Sequence, residues 1–382
     1  MSGNEPLLKV TELETNFHTY EGVVKALQGV SFSLMRGKTL GIVGETGSGK
    51  STAGKSILRL IPKNAGEIAG GTIDFENKHV LQLDDRDMRE IRGGKISMIF
   101  QQPTTSLNPV YKIGDQIAEA IELHQDLNRE ALEIRIKELK KRDVQLRKFG
   151  LSFVSEAVNI EGRIKELNSL RDDPPEQPRR FKKRAALDKS IGMLRLVGIP
   201  DPERIAKSYP HQLSGGMQQR SMIAMALSCN PLLLIADEPT TALDVTIQAQ
   251  ILELLKELKQ DSDLSMLLIT HNLGIVAEMC DEIVVMYAGR ILEHSSVGSI
   301  LKEPKHPYTI GLIKAIPKLG ERQNELYTIE GTVPNLINPP VGCSFYARCE
   351  RAMESCKLEK PVLREVEKGH NVACFLYNEG AN

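Results

Sequence analysis

A glycine-rich segment near the N-terminus constrains the fold of this chain more than any other feature of its sequence. It fits the phosphate-loop pattern G-x-x-x-x-G-K-[ST] and consists of Gly44, Glu45, Thr46, Gly47, Ser48, Gly49, Lys50, Ser51 and Thr52. Its three glycines allow backbone conformations with positive φ, in which N–H groups turn inward toward a bound polyphosphate. The sequence therefore predicts a nucleotide site in which all nine residues take part.

The residues on either side of this loop predict a strand before it and a helix after it. Residues 40–43 form a short apolar run typical of a buried parallel strand, and residues 52–60 carry apolar side chains without a proline. A helix that begins here points its positive end at the phosphates. Lys50 can then reach the β- and γ-phosphates, and Ser51 can ligate Mg²⁺. These features predict an α/β nucleotide-binding core.

The length and composition favour one large α/β domain with a smaller addition. The chain has 382 residues, of which 41% are hydrophobic and 26% charged, so it can bury a substantial core. It carries 49 Lys and Arg against 50 Asp and Glu, so no global positive charge indicates a nucleic-acid partner. No apolar run approaches the roughly 18 residues that cross a bilayer, and the first residues do not resemble a signal peptide. We therefore expect a cytosolic chain.

The middle of the sequence is helical and charged. Apolar residues recur at helical spacing from Ile113 to about Val197, which predicts a helical hairpin in which Gly150 and Ser152 end one helix and start the next. Residues 179–184 are almost all basic. We interpret this run first as a solvated face, with anionic lipid or the acidic patch of a partner as alternatives.

An apolar run that ends in two carboxylates predicts a further part of the site. Residues 232–236 are typical of a buried parallel strand, which would bring Asp237 to the carboxyl end of the sheet beside the phosphate loop. There Asp237 can hold Mg²⁺ through water, and Glu238 can polarise an attacking water. The alternative, a strand that simply stops at a polar turn, is disfavoured by the phosphate loop in the same chain.

A second glycine-centred signal predicts another surface for phosphate. Ser214, Gly215 and Gly216 precede a stretch with helical spacing. They can therefore present a hydroxyl, free N–H groups and the positive end of a helix dipole to an anion.

Together these motifs, in this order, resemble the ATP-binding subunits of ABC transporters over most of residues 7–317. Beyond Walker A at the phosphate loop, the resemblance rests on Gln101 for the Q-loop, residues 213–218 for the signature, Asp237 and Glu238 for Walker B with its catalytic glutamate, residues 241–244 with Asp244 for the D-loop, and His271 for the switch histidine. Tyr20 stands where the family places an adenine-stacking aromatic residue, although Phe17 is close enough to compete.

The resemblance implies an ATPase that uses charge and positioning. Lys50 and the loop amides would stabilise the phosphates, Glu238 would act as general base, and His271 would hold the γ-phosphate. Gln101 would touch Mg²⁺ and transmit the nucleotide state to a membrane partner. The Mg²⁺ ligands implied by the resemblance are Ser51, Gln101 and Asp237.

The resemblance also implies a head-to-tail dimer. In the family, the surface formed here by Ser214, Gly215 and Gly216 faces the γ-phosphate of ATP held by Walker A of the opposite subunit. The second ATPase would be a paralogue or another copy of this chain.

The C-terminal part narrows the subfamily. Residues 306–317 and 339–374 resemble stretches of the ATPase subunits of oligopeptide and dipeptide importers, except that Glu350 stands where the tail often has proline. This implies peptide uptake with transmembrane permeases and an extracytoplasmic solute-binding protein, at the cytoplasmic face of the membrane. The alternatives are another cargo, such as nickel or oligosaccharides, and a soluble ABC ATPase acting on nucleic acid or ribosomes.

Four cysteines lie close together in the tail, at Cys343, Cys349, Cys356 and Cys374. In the reducing cytosol they are not expected to form disulfides, so we expect them to bind something. Their spacing leaves zinc and an iron–sulfur cluster open. The resemblance to the peptide-importer tail implies a 4Fe–4S cluster, with zinc and merely free thiols as the alternatives.

The expected fold is therefore an α/β, ABC-type P-loop nucleotide-binding domain. It would have a mixed sheet core, an antiparallel β subdomain and an enlarged helical subdomain over about residues 103–228, with an unusual helical insertion of unknown role at about 128–190. The domain would cover residues 1–322, and a small cysteine-rich extension would follow over 323–382.

Overall fold

The computed structural model of the protein describes residues 5–148, 154–241, 243–260, 263–316 and 327–377. Several predicted features lie outside these ranges: Gly150, Ser152, Ala242 of the D-loop and the domain boundary at residue 322. The chain divides into two compact units. One comprises residues 1–92, 96–101 and 232–382, and the other comprises 93–95 and 102–231.

All strands of the described chain belong to two sheets in the first unit. They are β1 (Leu8–Thr19), β2 (Gly22–Leu34), β3 (Thr39–Val43), β4 (Gly66–Phe75), β5 (Lys78–His79), β6 (Ile96–Ile99), β7 (Leu233–Asp237), β8 (Ser265–Thr270), β9 (Glu282–Tyr287), β10 (Arg290–Ser296), β11 (Arg364–Glu367) and β12 (His370–Val372). The smaller sheet is antiparallel and has the order β2-β1-β4-β5.

The larger sheet is mixed and has the order β11-β12-β10-β9-β3-β8-β7-β6. Strands β9, β3, β8, β7 and β6 run parallel to one another, whereas β10, β12 and β11 continue the sheet with antiparallel pairs. The parallel strands β3, β7 and β8 are buried at every position, which explains their continuous apolar sequence. The carboxyl ends of β3, β7 and β8 therefore lie side by side, where a ligand site is expected.

The helices of the first unit are α1 (Lys50–Ile57), α2 (Asp85–Ile91), α10 (Val245–Gln260), α11 (Leu273–Met279), α12 (Val297–Lys302), α13 (Pro307–Lys314) and α14 (Ser355–Leu358). Those of the second are α3 (Pro103–Ser106), α4 (Ile113–His124), α5 (Asn128–Lys148), α6 (Val154–Ser169), α7 (Arg179–Leu196), α8 (Pro202–Ile205) and α9 (Gly215–Leu227). Short 3₁₀ turns cover Val80–Gln82, Pro210–Gln212, Tyr346–Arg348 and Phe375–Tyr377.

The predicted helical insertion, at about residues 128–190, contains α5, α6 and the first part of α7. Helix α5 packs against α7, and α5 and α6 pack together. Leu132, Ile136 and Leu167 are buried between them, with Leu139 and Ile164 packed alongside. These are the side chains whose helical spacing marked the segment in the sequence. Because so few apolar residues are buried here, most of the surface of α5 is charged and exposed.

The C-terminal region does not form a separate extension. Strand β12 pairs with β10, and β11 pairs with β12, so the tail continues the larger sheet of the nucleotide core. Glu293 of β10 is fully buried, and its carboxylate lies 2.7 Å from Nε2 of His370. The expectation of a distinct cysteine-rich extension is therefore not supported, because its strands complete a sheet that begins in the core.

Candidate nucleotide site

The phosphate loop connects β3 to α1, and two glycines give it its shape. Gly44 has a φ of 153°, and a Cβ atom there would lie 2.1 Å from the carbonyl oxygen of Met286. Gly49 has a φ of 96°, and a Cβ atom there would lie 2.6 Å from the carbonyl oxygen of Ala26. Both conformation and space therefore require glycine at these positions.

Lys50 begins α1, and its amine folds into the loop. Its Nζ atom donates hydrogen bonds to the carbonyl oxygens of Gly44 at 2.7 Å and Glu45 at 2.8 Å. Burial lowers the pKa of Lys50, while nearby carboxylates, of which Glu238 contributes most, act in the opposite direction. A cation held against the backbone of the phosphate loop is suited to bind phosphate oxygens.

Ser51 and Asp237 meet where β7 ends. The Oγ atom of Ser51 donates a hydrogen bond to Oδ1 of Asp237 at 2.8 Å. Burial raises the pKa of Asp237, and the hydrogen bond from Ser51 acts against that shift. A hydroxyl and a carboxylate are the oxygen ligands that Mg²⁺ prefers. The pair therefore fits a Mg²⁺ ion that accompanies a nucleotide.

Glu238 lies at the centre of a set of polar contacts. Its φ of 46° is unusual for a residue with a side chain, and its N–H donates to the carbonyl oxygen of Ile269 at 2.8 Å. Its carboxylate accepts hydrogen bonds from Nε2 of Gln101 at 2.8 Å and Oγ1 of Thr241 at 2.9 Å. Nδ1 of His271 lies 3.2 Å from its other oxygen. Two other predicted site residues, Gln101 and His271, therefore meet at the carboxylate of Glu238.

These contacts keep Glu238 ionised. Burial acts to raise its pKa, but the hydrogen bonds from His271 and Thr241 outweigh it, and the pKa is lowered. The side chain of Glu238 is 11% exposed and that of His271 is 60% exposed. A carboxylate that is charged, oriented and reachable by water has the properties of a general base.

Thr241 is a contact that the sequence argument did not assign to the glutamate. Its backbone N–H donates to the carbonyl oxygen of Glu238 at 3.2 Å, so the two residues close a tight turn. The turn brings the hydroxyl back to the carboxylate. The sequence signal that predicts this contact is a glutamate at the start of a turn with a threonine three residues later.

Other predicted site residues lie at the starts of two helices or in an exposed turn. Oγ of Ser214 lies 3.4 Å from the N–H of Met217 and caps α9, which begins with Gly215 and Gly216. Oδ1 of Asp244 accepts a hydrogen bond from the N–H of Ile247 at 2.9 Å, in the first turn of α10. Tyr20 is fully exposed in the turn between β1 and β2. Their roles toward ATP stay predictions.

The sequence profile of the family described as "ABC transporter" matches residues 27–241. This span holds the phosphate loop, the paired carboxylates and most of the polar contacts around them. The chain belongs to the ABC transporter ATP-binding proteins. The resemblance inferred from its motifs is thus confirmed, and the chain is an ATPase of this family. A second profile, described as "Oligopeptide/dipeptide transporter, C-terminal region", matches residues 292–356.

Relatives of this ABC transporter ATP-binding protein match it over almost its whole length. A probable peptide ABC transporter ATP-binding protein of Sinorhizobium fredii is 45% identical, over 98% of this chain and 96% of its own. A dipeptide transport ATP-binding protein of Bacillus subtilis is 43% identical, over 99% of this chain and 96% of its own. An oligopeptide transport ATP-binding protein of the same organism is 41% identical, over 98% and 97%.

Solved structures of ABC proteins share the fold at low sequence identity. A dimeric ATP-binding cassette bound to ADP and phosphate has a TM-score of 0.52 at 24% identity, covering 76% of this chain and 98% of that one. An ABC transporter subunit from Clostridium perfringens has a TM-score of 0.53 at 23% identity, covering 78% and 92%. These likenesses establish the ABC ATPase fold of the chain.

The four tail cysteines of this ABC protein do not form a metal centre. Cys343, Cys349, Cys356 and Cys374 all line one cavity of only about 10 Å³. Across the described ranges, no group of three or more His, Cys, Asp or Glu side chains is arranged to hold a metal ion. The predicted 4Fe–4S cluster is therefore wrong, and the alternative zinc site is not supported either.

The packing of these thiols gives the physical reason. Burial raises the pKa of Cys343 and of Cys374 to about 11, and it raises that of Cys349 as well. A buried thiol behaves as a small apolar side chain. Accordingly, Cys343 and Cys356 are buried in the same hydrophobic cluster as Phe345. The cysteines therefore contribute to the hydrophobic packing of the C-terminal region.

Helices long and apolar enough to span a membrane are not found in the described part of this ABC protein.

Proposed function

We propose that this ATPase drives the uptake of dipeptides and oligopeptides through transmembrane permease subunits. The observation that carries the proposal is the 41–45% identity to proteins named for peptide transport, over at least 98% of this chain. The match to the oligopeptide/dipeptide transporter C-terminal region adds independent support. The relatives described above give no support to nickel or oligosaccharides as cargo.

ATP hydrolysis at this site is proposed to depend on positioning and charge. Lys50 binds the phosphates together with the loop amides, and Glu238 orients the attacking water and accepts its proton. His271 contacts the γ-phosphate and also holds the carboxylate of Glu238. When bound, Mg²⁺ neutralises charge on the phosphates, and the residues that would hold it are Ser51, Gln101 and Asp237.

The complete site is proposed to need two subunits. Ser214, Gly215 and Gly216 cap and begin α9, and such a helix start binds anions well. In a head-to-tail dimer, this surface of one subunit would cover the ATP bound to the phosphate loop of the other. The second subunit is a paralogue or a second copy.

The protein is further proposed to act at the cytoplasmic face of the membrane. There it would bind the permeases peripherally, and a solute-binding protein outside the membrane would deliver the cargo. Gln101 is proposed to pass on the nucleotide state, and the hydrogen bond from its amide to Glu238 supports this role. Nucleic acid is not among the proposed partners.

Uptake by cells tests the proposed cargo. In a strain whose chromosomal copy carries Glu238→Gln, uptake of labelled dipeptides and oligopeptides should fall to the level of a strain without the gene. Uptake of nickel and of oligosaccharides, measured in the same cells, should not change. Unchanged peptide uptake together with lost nickel or oligosaccharide uptake would replace the proposed cargo.

Size-exclusion chromatography tests the proposed dimer. With ATP, the Glu238→Gln variant should elute as a dimer, because binding continues while hydrolysis stops. Adding Ser214→Arg should abolish the dimer, whereas adding Ser169→Arg, at an exposed position of α6, should not. A dimer that survives Ser214→Arg would show that the surface at the start of α9 does not meet ATP.

A further inference from the structure

An arginine of the C-terminal region binds a glutamate of the phosphate loop. Arg348 lies in the 3₁₀ turn Tyr346–Arg348, and its guanidinium makes a two-pronged contact with Glu45. Nη1 donates to Oε2 at 2.7 Å, and Nη2 donates to Oε1 at 3.1 Å. The planar guanidinium of arginine matches the two oxygens of a carboxylate in this geometry. The contact joins residues 303 positions apart in the chain.

The ion pair is sheltered from solvent. The side chain of Arg348 is 6% exposed and that of Glu45 is 28% exposed. The guanidinium also lies 5.6 Å from the ring centre of Tyr287. Burial would lower the pKa of Arg348, but its hydrogen bonds to Glu45 and Tyr287 raise it above its usual value. Because the guanidinium is buried, removing one partner of the pair would leave the other charge uncompensated.

Two further hydrogen bonds fix where the arginine points. Nε donates to the carbonyl oxygen of Glu330 at 2.8 Å, and Nη2 donates to that of Ile329 at 3.0 Å. Gly331 has a φ of 82°, and a Cβ atom there would lie 3.2 Å from Cγ of Arg348. The segment around Gly331 therefore packs closely against this side chain.

The main chain of Glu45 is also held by hydrogen bonds, one of them to a residue of the C-terminal part of the chain. Its N–H donates a hydrogen bond to the hydroxyl of Tyr308, a fully buried residue of α13, at 2.9 Å. Its carbonyl oxygen accepts the hydrogen bond from Lys50 described above. Glu45 is thus fixed at its N–H, its carbonyl and its carboxylate.

A carboxylate in this loop needs a counter-charge if ATP is to bind. The amine of Lys50 donates a hydrogen bond to the main chain of Glu45 at 2.8 Å, and the Glu45 carboxylate acts to raise the pKa of Lys50, so Glu45 is also close to where phosphates would bind. An unpaired carboxylate at that distance would repel a polyphosphate and compete for the lysine. We propose that Arg348 is a positioning residue for ATP binding, which neutralises Glu45 and holds it away from the phosphates.

This inference rests on the phosphate loop being the ATP site, and the experiment separates the two ideas. The readouts are the dissociation constant of a fluorescent ATP analogue with Mg²⁺, the KM and kcat of ATP hydrolysis, and the thermal unfolding temperature. Lys50→Ala should abolish binding, which checks the site itself. Arg348→Met should weaken binding and raise KM by about tenfold or more, with a smaller effect on kcat.

The decisive variant removes both charges. Because Glu45→Gln leaves no carboxylate to neutralise, the double variant with Arg348→Met should bind ATP within about threefold of Glu45→Gln alone. Arg351→Met is the matched control, since Arg351 is an exposed arginine of the same segment, and it should bind ATP as the wild type does. Should Arg348→Met fail to fold, Arg348→Lys takes its place, with a weakening of about threefold that Glu45→Gln again removes.

Two results would overturn the proposal while leaving the ATP site intact. In the first, the double variant binds as weakly as Arg348→Met alone, so that Arg348 acts only through its contacts with Ile329 and Glu330. In the second, Lys50→Ala abolishes binding but Arg348→Met binds like the wild type. If Lys50→Ala itself bound ATP normally, the assignment of the loop as the ATP site would fail instead.

Discussion

The polar groups around Glu238 and the cysteines of the tail are both clusters of side chains that could form a binding site, but their surroundings differ. Glu238 receives hydrogen bonds from Gln101 and Thr241 and contacts His271, so its charge is favoured. The thiol of Cys343 lies among apolar side chains, Cys374 lines the same small cavity, and burial raises the pKa of both to about 11. The surroundings thus favour the charged form of Glu238 and the neutral form of these two thiols.

The difference shows that clustering alone does not make a site. Reactive or ligating groups need partners that stabilise the form that does the chemistry. The side chains of Gln101, Thr241 and His271 supply this at Glu238. The tail thiols receive hydrogen bonds from backbone N–H groups instead, and burial still raises the pKa of Cys343, Cys349 and Cys374.

Replacing Glu238 by Gln should have the largest effect. The variant keeps the shape and several hydrogen bonds of the side chain but cannot accept a proton, so kcat should fall by about a thousandfold. ATP binding should be retained. Steady-state hydrolysis and binding of a fluorescent nucleotide would measure both. Glu253→Gln, at an exposed position of α10, is the control, and normal turnover of Glu238→Gln would contradict the general-base role.

Removing the hydroxyl of Ser51 should raise the Mg²⁺ requirement. Ser51→Ala leaves Asp237 without its hydrogen-bond donor and takes away an oxygen ligand, so half-maximal activity should need about ten to a hundred times more Mg²⁺. Titration of ATP hydrolysis with MgCl₂ measures this. Ser51→Thr keeps the hydroxyl and should behave like the wild type. An unchanged Mg²⁺ requirement in Ser51→Ala would remove this side chain from the metal site.

The two aromatic candidates for adenine stacking should differ from each other. Tyr20 is fully exposed, whereas Phe17 is half-buried and lies against Gly66. Tyr20→Ala should raise the KM for ATP about tenfold through lost stacking, and Tyr20→Phe should not. Phe17→Ala should lower stability more than ATP binding. The opposite pattern in KM would transfer the stacking role to Phe17.

Truncating the tail cysteines should have the smallest effect. If the thiols only pack, Cys343→Ala and Cys356→Ala should each cost about 1 kcal/mol of unfolding free energy, as measured by urea denaturation. ATP hydrolysis should be unaffected. A loss of several kcal/mol from each single variant, together with loss of bound iron or zinc, would show that the cysteines act as ligands after all.

Local motifs explain why much of the site could be predicted from the sequence. The phosphate loop, Ser51, Asp237 and Glu238 are defined by neighbours a few residues away, and the buried parallel strands bring them together. The pair between Arg348 and Glu45 could not be predicted in this way, because it depends on where two distant segments meet. The prediction of a metal site at the four cysteines was wrong for a related reason, since the spacing of cysteines in the sequence does not show how they pack in the fold.

The last strands of the chain also decide how its main sheet ends. Strand β12 covers β10, and β11 takes the outer position with the charged residues Arg364, Glu365 and Glu367. Such a short, charged outer strand discourages pairing with other molecules. A chain shortened before β12 would therefore carry an unpaired edge at β10 that is open to pairing with other molecules.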